Sequence, residues 1–152
     1  MIVNKCVEQG IYVILILSLE KDHRPLRSAE LSSILDVSDS YLKKILRKLV
    51  LAGLIHSNPG KDGGFVLARP VEEISLYDVY AALEGEECEV KTSGIGERIF
   101  IDDRKFAQGA QKVMNTFGKA NEAFARELQK LSLSELADRE NYLTGTIEFG
   151  NR

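Results

Sequence analysis

Cysteine is scarce in this 152-residue chain, which carries only Cys6 and Cys88. Two such residues make neither a disulfide framework nor a zinc constellation, so a reducing, cytoplasmic setting is expected. Histidine is equally rare, and neither His23 nor His56 has a second histidine, cysteine or carboxylate at a matching spacing. The patterns H-E-x-x-H, G-x-S-x-G and C-x-x-C are missing as well. No catalytic residue, metal ligand or enzymatic activity is therefore expected. Long hydrophobic runs are also lacking. The longest, Ile11 to Leu17, is far short of the roughly 18 residues that would suggest a membrane span. The opening residues MIVNKCVEQG have neither a basic n-region nor a small-residue cleavage site, and no signal peptide is read there.

What is present is ordinary for a soluble globular protein: 44% apolar and 28% charged residues, enough to bury a core. The net charge of −3 hides an uneven distribution. Residues 1–70 carry ten Lys/Arg against seven Asp/Glu, and residues 71–152 carry ten against sixteen. A basic front half joined to an acidic back half is compatible with a DNA-binding module attached to a regulatory or oligomerising one.

Residues 3–20 place Val3, Val7, Ile11, Ile14 and Leu15 at helical spacing, and a helix is expected until Pro25 disfavours it. Ser28 is expected to cap a short second helix with Leu31, Ile34 and Leu35 on one face. After a turn at Asp36-Val37, Ser38 caps a third helix reaching about Ala52. Its Leu42, Ile45, Leu46, Leu49 and Val50 recur at i, i+3, i+4, i+7 and i+8, and Gly53 suits its end. Two capped amphipathic helices across a tight turn make a helix-turn-helix candidate.

Two short strands, Leu54–Ser57 and Phe65–Ala68, flank the turn-forming stretch Asn58-Pro-Gly-Lys-Asp-Gly-Gly. The glycines there do not form a phosphate loop, because Lys61 precedes the glycine pair and a strand follows it. The hairpin reads as a wing. Beyond it, Ser75 and Asp78 resemble a capping box opening a helix. Residues 85–102 look irregular. A long helix is expected from Arg104 to Leu131, roughly 42 Å in length. Its Phe106, Ala110, Val113, Phe117, Ala120, Phe124, Leu128 and Leu131 are spaced 4-3-4-3-4-4-3, close to a heptad stripe. Ser132 and Glu135 suggest a box for a last short helix, and residues 144–152 read as a frayed tail.

The third helix has the chemistry of a DNA reader. Ser38, Ser40 and Tyr41 offer hydroxyls at its first turn, where backbone N–H groups also suit phosphate. Lys43, Lys44, Arg47 and Lys48 then set four cations within two turns, opposite the apolar face. Asp39 is the dissenting charge. Ser28 and the wing residues Lys61, Gly63 and Gly64 complete the candidate DNA-binding set.

The block from Val37 to Gly85 resembles the Rrf2-type winged-helix transcriptional regulators, the relatives of IscR, NsrR and CymR. The matching marks are S-x-S-Y-L at Ser38 to Leu42, G-L-I at Gly53 to Ile55 and G-G-[FY]-x-L at Gly63 to Leu67. The I-S-L-Y-D-V segment from Ile74 agrees as well, and the flanking helices extend the likeness over nearly the whole chain. The resemblance implies a winged helix-turn-helix fold, mainly α with a small hairpin, and a homodimer built on the long helix through Phe106, Val113, Phe117, Phe124, Leu128 and Leu131. It implies a double-stranded palindromic operator, with the recognition helix in the major groove and the wing in the minor groove. Lys43 stands where some relatives carry a base-discriminating glutamate. Pro59 stands where some carry a minor-groove arginine, which Lys61 replaces in part.

The departure concerns sensing. Cluster-binding relatives carry three cysteines between the wing-following helix and the long helix, whereas this chain has only Cys88 there. A [2Fe–2S] cluster normally needs four protein ligands, so no iron–sulfur cluster is expected. Cys88 remains a candidate redox sensor, although Glu86, Glu87 and Glu89 would raise its pKa and disfavour the thiolate. The expected organisation is a winged domain at 1–84, a sensor or linker at 85–103, and a dimerisation helix with tail at 104–152. The expected function is a repressor, released by redox change or by an unidentified small-molecule effector. A helix-turn-helix used for protein contact is the other class.

Overall fold

The computed structural model describes residues 3–85, 93–100 and 104–149. Cys88 and its acidic neighbours lie outside them. In chain order come α1 (Lys5–Leu19), α2 (Ser28–Ile34), α3 (Asp39–Leu51), β1 (Ile55–Asn58), β2 (Gly64–Leu67), α4 (Leu76–Glu84), α5 (Ile95–Ile99), α6 (Arg104–Gln129) and α7 (Arg139–Thr144). Short 3-10 turns occupy Lys21–His23, Val71–Glu73 and Leu133–Leu136. The chain is mainly helical with a two-stranded hairpin, a winged helix-turn-helix with a long C-terminal helix. It divides into two compact units, one from residues 1–86 and 128–152 and the other from 87–127.

In the first unit the β-branched run of α1 is helical. The helix buries Val7, Val13, Ile14, Ile16 and Leu17, so it serves as the central post of the core. Gly10 belongs to that packing: a Cβ there would stand 2.5 Å from Leu83 Cδ1 and 3.1 Å from Val79 Cγ1 of α4. Around α1 close Leu31 from α2, Leu42, Leu46 and Leu49 from α3, Val79 from α4, and Leu133, all buried.

The hairpin pairs Ile55 with Leu67, His56 with Val66, Ser57 with Phe65 and Asn58 with Gly64. Each strand is therefore offset by one residue from the sequence expectation. β2 has a second neighbour. Leu26 accepts from the Phe65 N–H at 2.8 Å and donates to the Phe65 carbonyl at 3.1 Å, fixing the wing to the segment before α2. Gly64 is required there, since a Cβ would lie 2.7 Å from the Leu26 backbone.

Two helix starts follow the expected capping chemistry, and a third does not. Ser38 caps α3 by accepting from the Tyr41 N–H at 3.3 Å. Ser75 and Asp78 form the reciprocal box at α4. Ser28 is not the cap of α2: Arg27 occupies that position, and Ser28 is the first helical residue. Ser132 and Glu135 open a 3-10 turn, and the last short helix, α7, begins only after Asp138.

The C-terminal segment is docked rather than frayed. Ile147 donates to the Leu19 carbonyl at 2.9 Å and accepts from Lys21 at 2.8 Å. Glu20, wholly buried, accepts from the Phe149 N–H at 3.2 Å and from Arg24 at 3.0 Å. Burying a carboxylate is costly unless it is paired and hydrogen-bonded, and the returning tail supplies part of that pairing. Residues 128–149 thus group with the winged unit, whereas the sequence placed all of 104–152 together.

In the second unit, α5 is a short helix inside the stretch that reads as irregular. The Phe100 and Phe106 rings stack with centroids 4.7 Å apart. Gly96 makes room for this, as a Cβ there would collide with the Phe106 ring. α6 ends at Gln129, two residues before the expected limit, and none of its residues is buried. Val113 and Phe117 are each more than half exposed. Leu131 lies beyond the helix, its carbonyl accepting from the Leu76 N–H at 2.9 Å.

Leu49 is fully buried while Leu51, two residues on, is 77% exposed. Leu49→Ala should cost about 2–5 kcal/mol in urea unfolding, and Leu51→Ala less than about 0.5 kcal/mol. Similar losses for both would contradict the side of α3 assigned to the core.

Candidate nucleic-acid interface

Between α2 and α3 the chain turns at Leu35, Asp36 and Val37. Asp36 adopts φ 53°, a left-handed conformation that Asp tolerates better than most residues. The Val37 N–H returns to the Ser32 carbonyl at 3.0 Å. This turn, with the burial of Leu42, Ile45, Leu46 and Leu49, sets which side of α3 faces outward.

At 100° per residue, the exposed residues of α3 divide into three strips. Ser40, Lys44, Arg47 and Leu51 form the central one, pointing away from the core. Lys44 and Arg47 make no ion pair among the described residues. Their charges are thus available to an external anion. On one flank lie Tyr41 and Lys48, both engaged internally. The Tyr41 hydroxyl donates to Gln9 Oε1 of α1 at 2.8 Å, and the Lys48 ammonium donates to the Leu83 carbonyl at 2.7 Å. Lys48 therefore serves the last turn of α4, where a cation suits the carbonyl end of a helix.

On the other flank Lys43 pairs with Asp39 at 2.6 Å. Lys43, then the Ser28 hydroxyl, hold the Asp39 carboxyl below the usual carboxylate range. Asp39 thus neutralises Lys43 one turn along α3. The four cations read from the sequence are not equivalent: two are free, one is neutralised and one is a helix clamp.

The wing presents Pro59, Gly60, Lys61 and Asp62 at an exposed tip. Gly63 and Gly64 are only partly exposed, and their need for glycine comes from the protein itself. A Cβ on Gly63 would lie 2.2 Å from the Asn58 carbonyl oxygen. These two residues shape the hairpin, and Lys61 carries the tip's positive charge.

One residue of this face escapes sequence reading. The exposed Arg27 guanidinium donates from Nη2 to the Lys61 carbonyl, beside the wing tip. A cleft of about 370 Å³ lies here, lined by Arg24, Arg27, Glu30, Lys61, Asp62 and Gly63 among others. The available signal was a cation at the position before Ser28, where a capping side chain is usual. Arg24, by contrast, is committed to Glu20 and Glu30 at 3.0 and 2.9 Å.

The sequence holds two cysteines, and no group of three His, Cys, Asp or Glu among the described residues could hold a metal ion. Burial, then the Glu84 hydrogen bond and charge, push the Cys6 thiol up. It donates to Glu84 Oε1 at 3.2 Å, which disfavours a ligating thiolate.

A family model described as Rrf2, iron-dependent transcriptional regulator, matches residues 3–139. The HTH-type transcriptional regulator YffB of Lactococcus lactis is 36% identical over 135 residues, covering 89% of this chain and 86% of its own. YwgB of Bacillus subtilis, also described as an HTH-type transcriptional regulator, is 45% identical over 94 residues, or 62% of this chain and 60% of its own. Among solved structures, the B. subtilis global cysteine regulator CymR aligns with a TM-score of 0.62 at 20% identity, covering 90% of this chain and 96% of that one. IscR from T. potens aligns at 0.61 and 20%, covering 90% and 85%. At such identities the structural likeness speaks for the fold.

The start of α2 should respond to acid. Burial pushes the Glu30 carboxyl up, but the Arg27 N–H and the Arg24 guanidinium outweigh it, leaving the pKa lowered. A depressed folded pKa stabilises above the ordinary glutamate value of about 4.3 and loses that contribution as pH falls through the folded value. Glu30→Gln should therefore flatten the acid limb of stability, followed as denaturation midpoints on acidification. An acid limb as steep as wild type would contradict this.

Proposed function

The chain belongs to the Rrf2 family of transcriptional regulators, and we propose that it is a homodimeric repressor that binds a palindromic operator through α3 and the wing. The observation that carries this reading is the outward strip of Ser40, Lys44 and Arg47. It lies on a helix whose flanks are held by Asp39–Lys43, Tyr41–Gln9 and Lys48–Leu83. A rigid basic strip, with small hydroxyls at the helix N-terminus, suits phosphates and base edges of a major groove. Binding, without catalysis, is the proposed activity. Ser38 and Tyr41 act mainly by fixing the helix start, and Lys61 supplies a phosphate contact from the wing.

The dimer reading rests on α6. A 26-residue helix with an apolar stripe and no buried residue is poorly explained as a solitary element, since helical stability usually comes from packing an amphipathic face. A second copy would cover Val113 and Phe117. The proposal includes operation without an iron–sulfur cluster, a reading supported by a sequence with only two cysteines. Release is proposed to come from a change at residues 85–103, through a small-molecule effector or the Cys88 thiol.

Affinity for a selected duplex should fall steeply with salt. Lys44→Ala and Arg47→Ala should each lower the slope of log K against log salt by about one per contact removed. Lys48→Ala should leave that slope near wild type. Equal slopes for all three would remove the outward strip from the interface. Phe117→Glu should yield monomers in sedimentation and weaken binding to a two-half-site duplex. A variant that remains dimeric would place the dimer contact elsewhere.

A further inference from the structure

The wing loop alone is a poor minor-groove reader. Its exposed tip carries Lys61 and Asp62, so the two charges cancel. The adjoining α2 start breaks a local rule in a way that corrects this deficit. Ser, Thr, Asp and Asn are preferred at a helix N-cap because their oxygen accepts from the first turn, and an arginine side chain has no acceptor to offer. Here the helix start is served from the other direction, with Glu30 accepting from the Arg27 N–H at 2.8 Å. The guanidinium is left to extend away from the helix to the Lys61 carbonyl. Local rules broken without local benefit tend to mark functional positions.

We infer that Arg27, delivered from the α2 N-cap rather than from the wing loop, is the arginine that enters the DNA minor groove beside the wing tip and reads its width. This rests on the DNA-binding reading above. Three observations converge on it. Arg27 is exposed and makes no ion pair among the described residues. A guanidinium has five N–H donors, so the bond to Lys61 leaves others free. Arg24 nearby is neutralised by Glu20 and Glu30, so Arg27 is the uncommitted arginine of the cleft. A guanidinium is also more weakly hydrated than an ammonium, which favours Arg over Lys in the narrow, strongly negative minor groove of A·T-rich DNA. The bond to Lys61 holds the side chain alongside the hairpin before DNA arrives. The expected operator carries A·T pairs where the wing lands, outside the major-groove half-site.

The test uses the full chain and a duplex selected from a random pool, with the flanking pairs then made A·T, G·C or inosine·C. Inosine·C presents the major-groove edge of G·C but lacks the minor-groove amino group. Wild type should bind the A·T and inosine·C flanks on the order of tenfold more tightly than G·C. Arg27→Ala should bind all three alike while keeping its preference within the half-site. Lys61→Ala, which keeps the carbonyl that holds Arg27, should weaken all three equally and retain the discrimination. If Arg27→Ala still discriminates, or if Lys61→Ala alone loses discrimination, the inference is overturned. A wild type that selects no duplex would overturn the DNA-binding reading and this inference together.

Discussion

Leu26 is the pivot of the winged unit. Its side chain is fully buried, and its backbone N–H and carbonyl are both paired with Phe65. One residue thus joins the hydrophobic core to the wing, and the hairpin gains a third pairing partner that an isolated two-stranded ribbon lacks. Everything around it follows from that attachment. Gly64 must be glycine because the Leu26 backbone passes so close. Residues on either side of Leu26 are carried outward, which places Arg24 against Glu20 and Glu30 and Arg27 against the wing tip. The orientation of wing relative to helix-turn-helix is therefore set by backbone hydrogen bonds in the core, and the charged contacts are laid over it.

Much of this architecture is written in short-range pattern. The apolar period of residues 42–50, the cap at Ser38, the box at Ser75 and the turn-rich stretch after Asn58 are all local, and each element emerges near its expected limits. The wing residues differ by one position because Asn58 pairs with Gly64, an outcome decided by the Leu26 contact nearly 40 residues away. Ser28 misleads for a related reason. It is the right residue type for a cap, but Glu30 can satisfy the Arg27 N–H, which lets the helix begin one residue earlier. The tail is illegible in sequence because its partners, Leu19, Glu20 and Lys21, lie at the other end of the chain.

Within the interface, sequence reveals the charges but not their assignments. Lys43, Lys44, Arg47 and Lys48 read as one basic cluster, whereas geometry divides them by partner. Asp39 is 4 residues from Lys43, a spacing at which helical ion pairs form, so that neutralisation was legible. The Lys48 bond to the Leu83 carbonyl joins two helices 35 residues apart and leaves no trace in any local period. The glycine-rich wing is similarly reassigned. Its glycines accommodate the protein's own backbone, and the charge that complements them comes from another element.

The docking of residues 133–149 onto α1 bears on how such a reading head can be inherited. Leu133 is fully buried and Tyr142 nearly so, and the segment from Gly145 to Phe149 bonds to the end of the first helix. The head is therefore built from both ends of the polypeptide, with the second unit inserted between them. It is not a cassette that recombination could lift out at its last strand. A change in the second unit has to arise by altering the inserted residues in place, while the two flanking pieces keep one another folded.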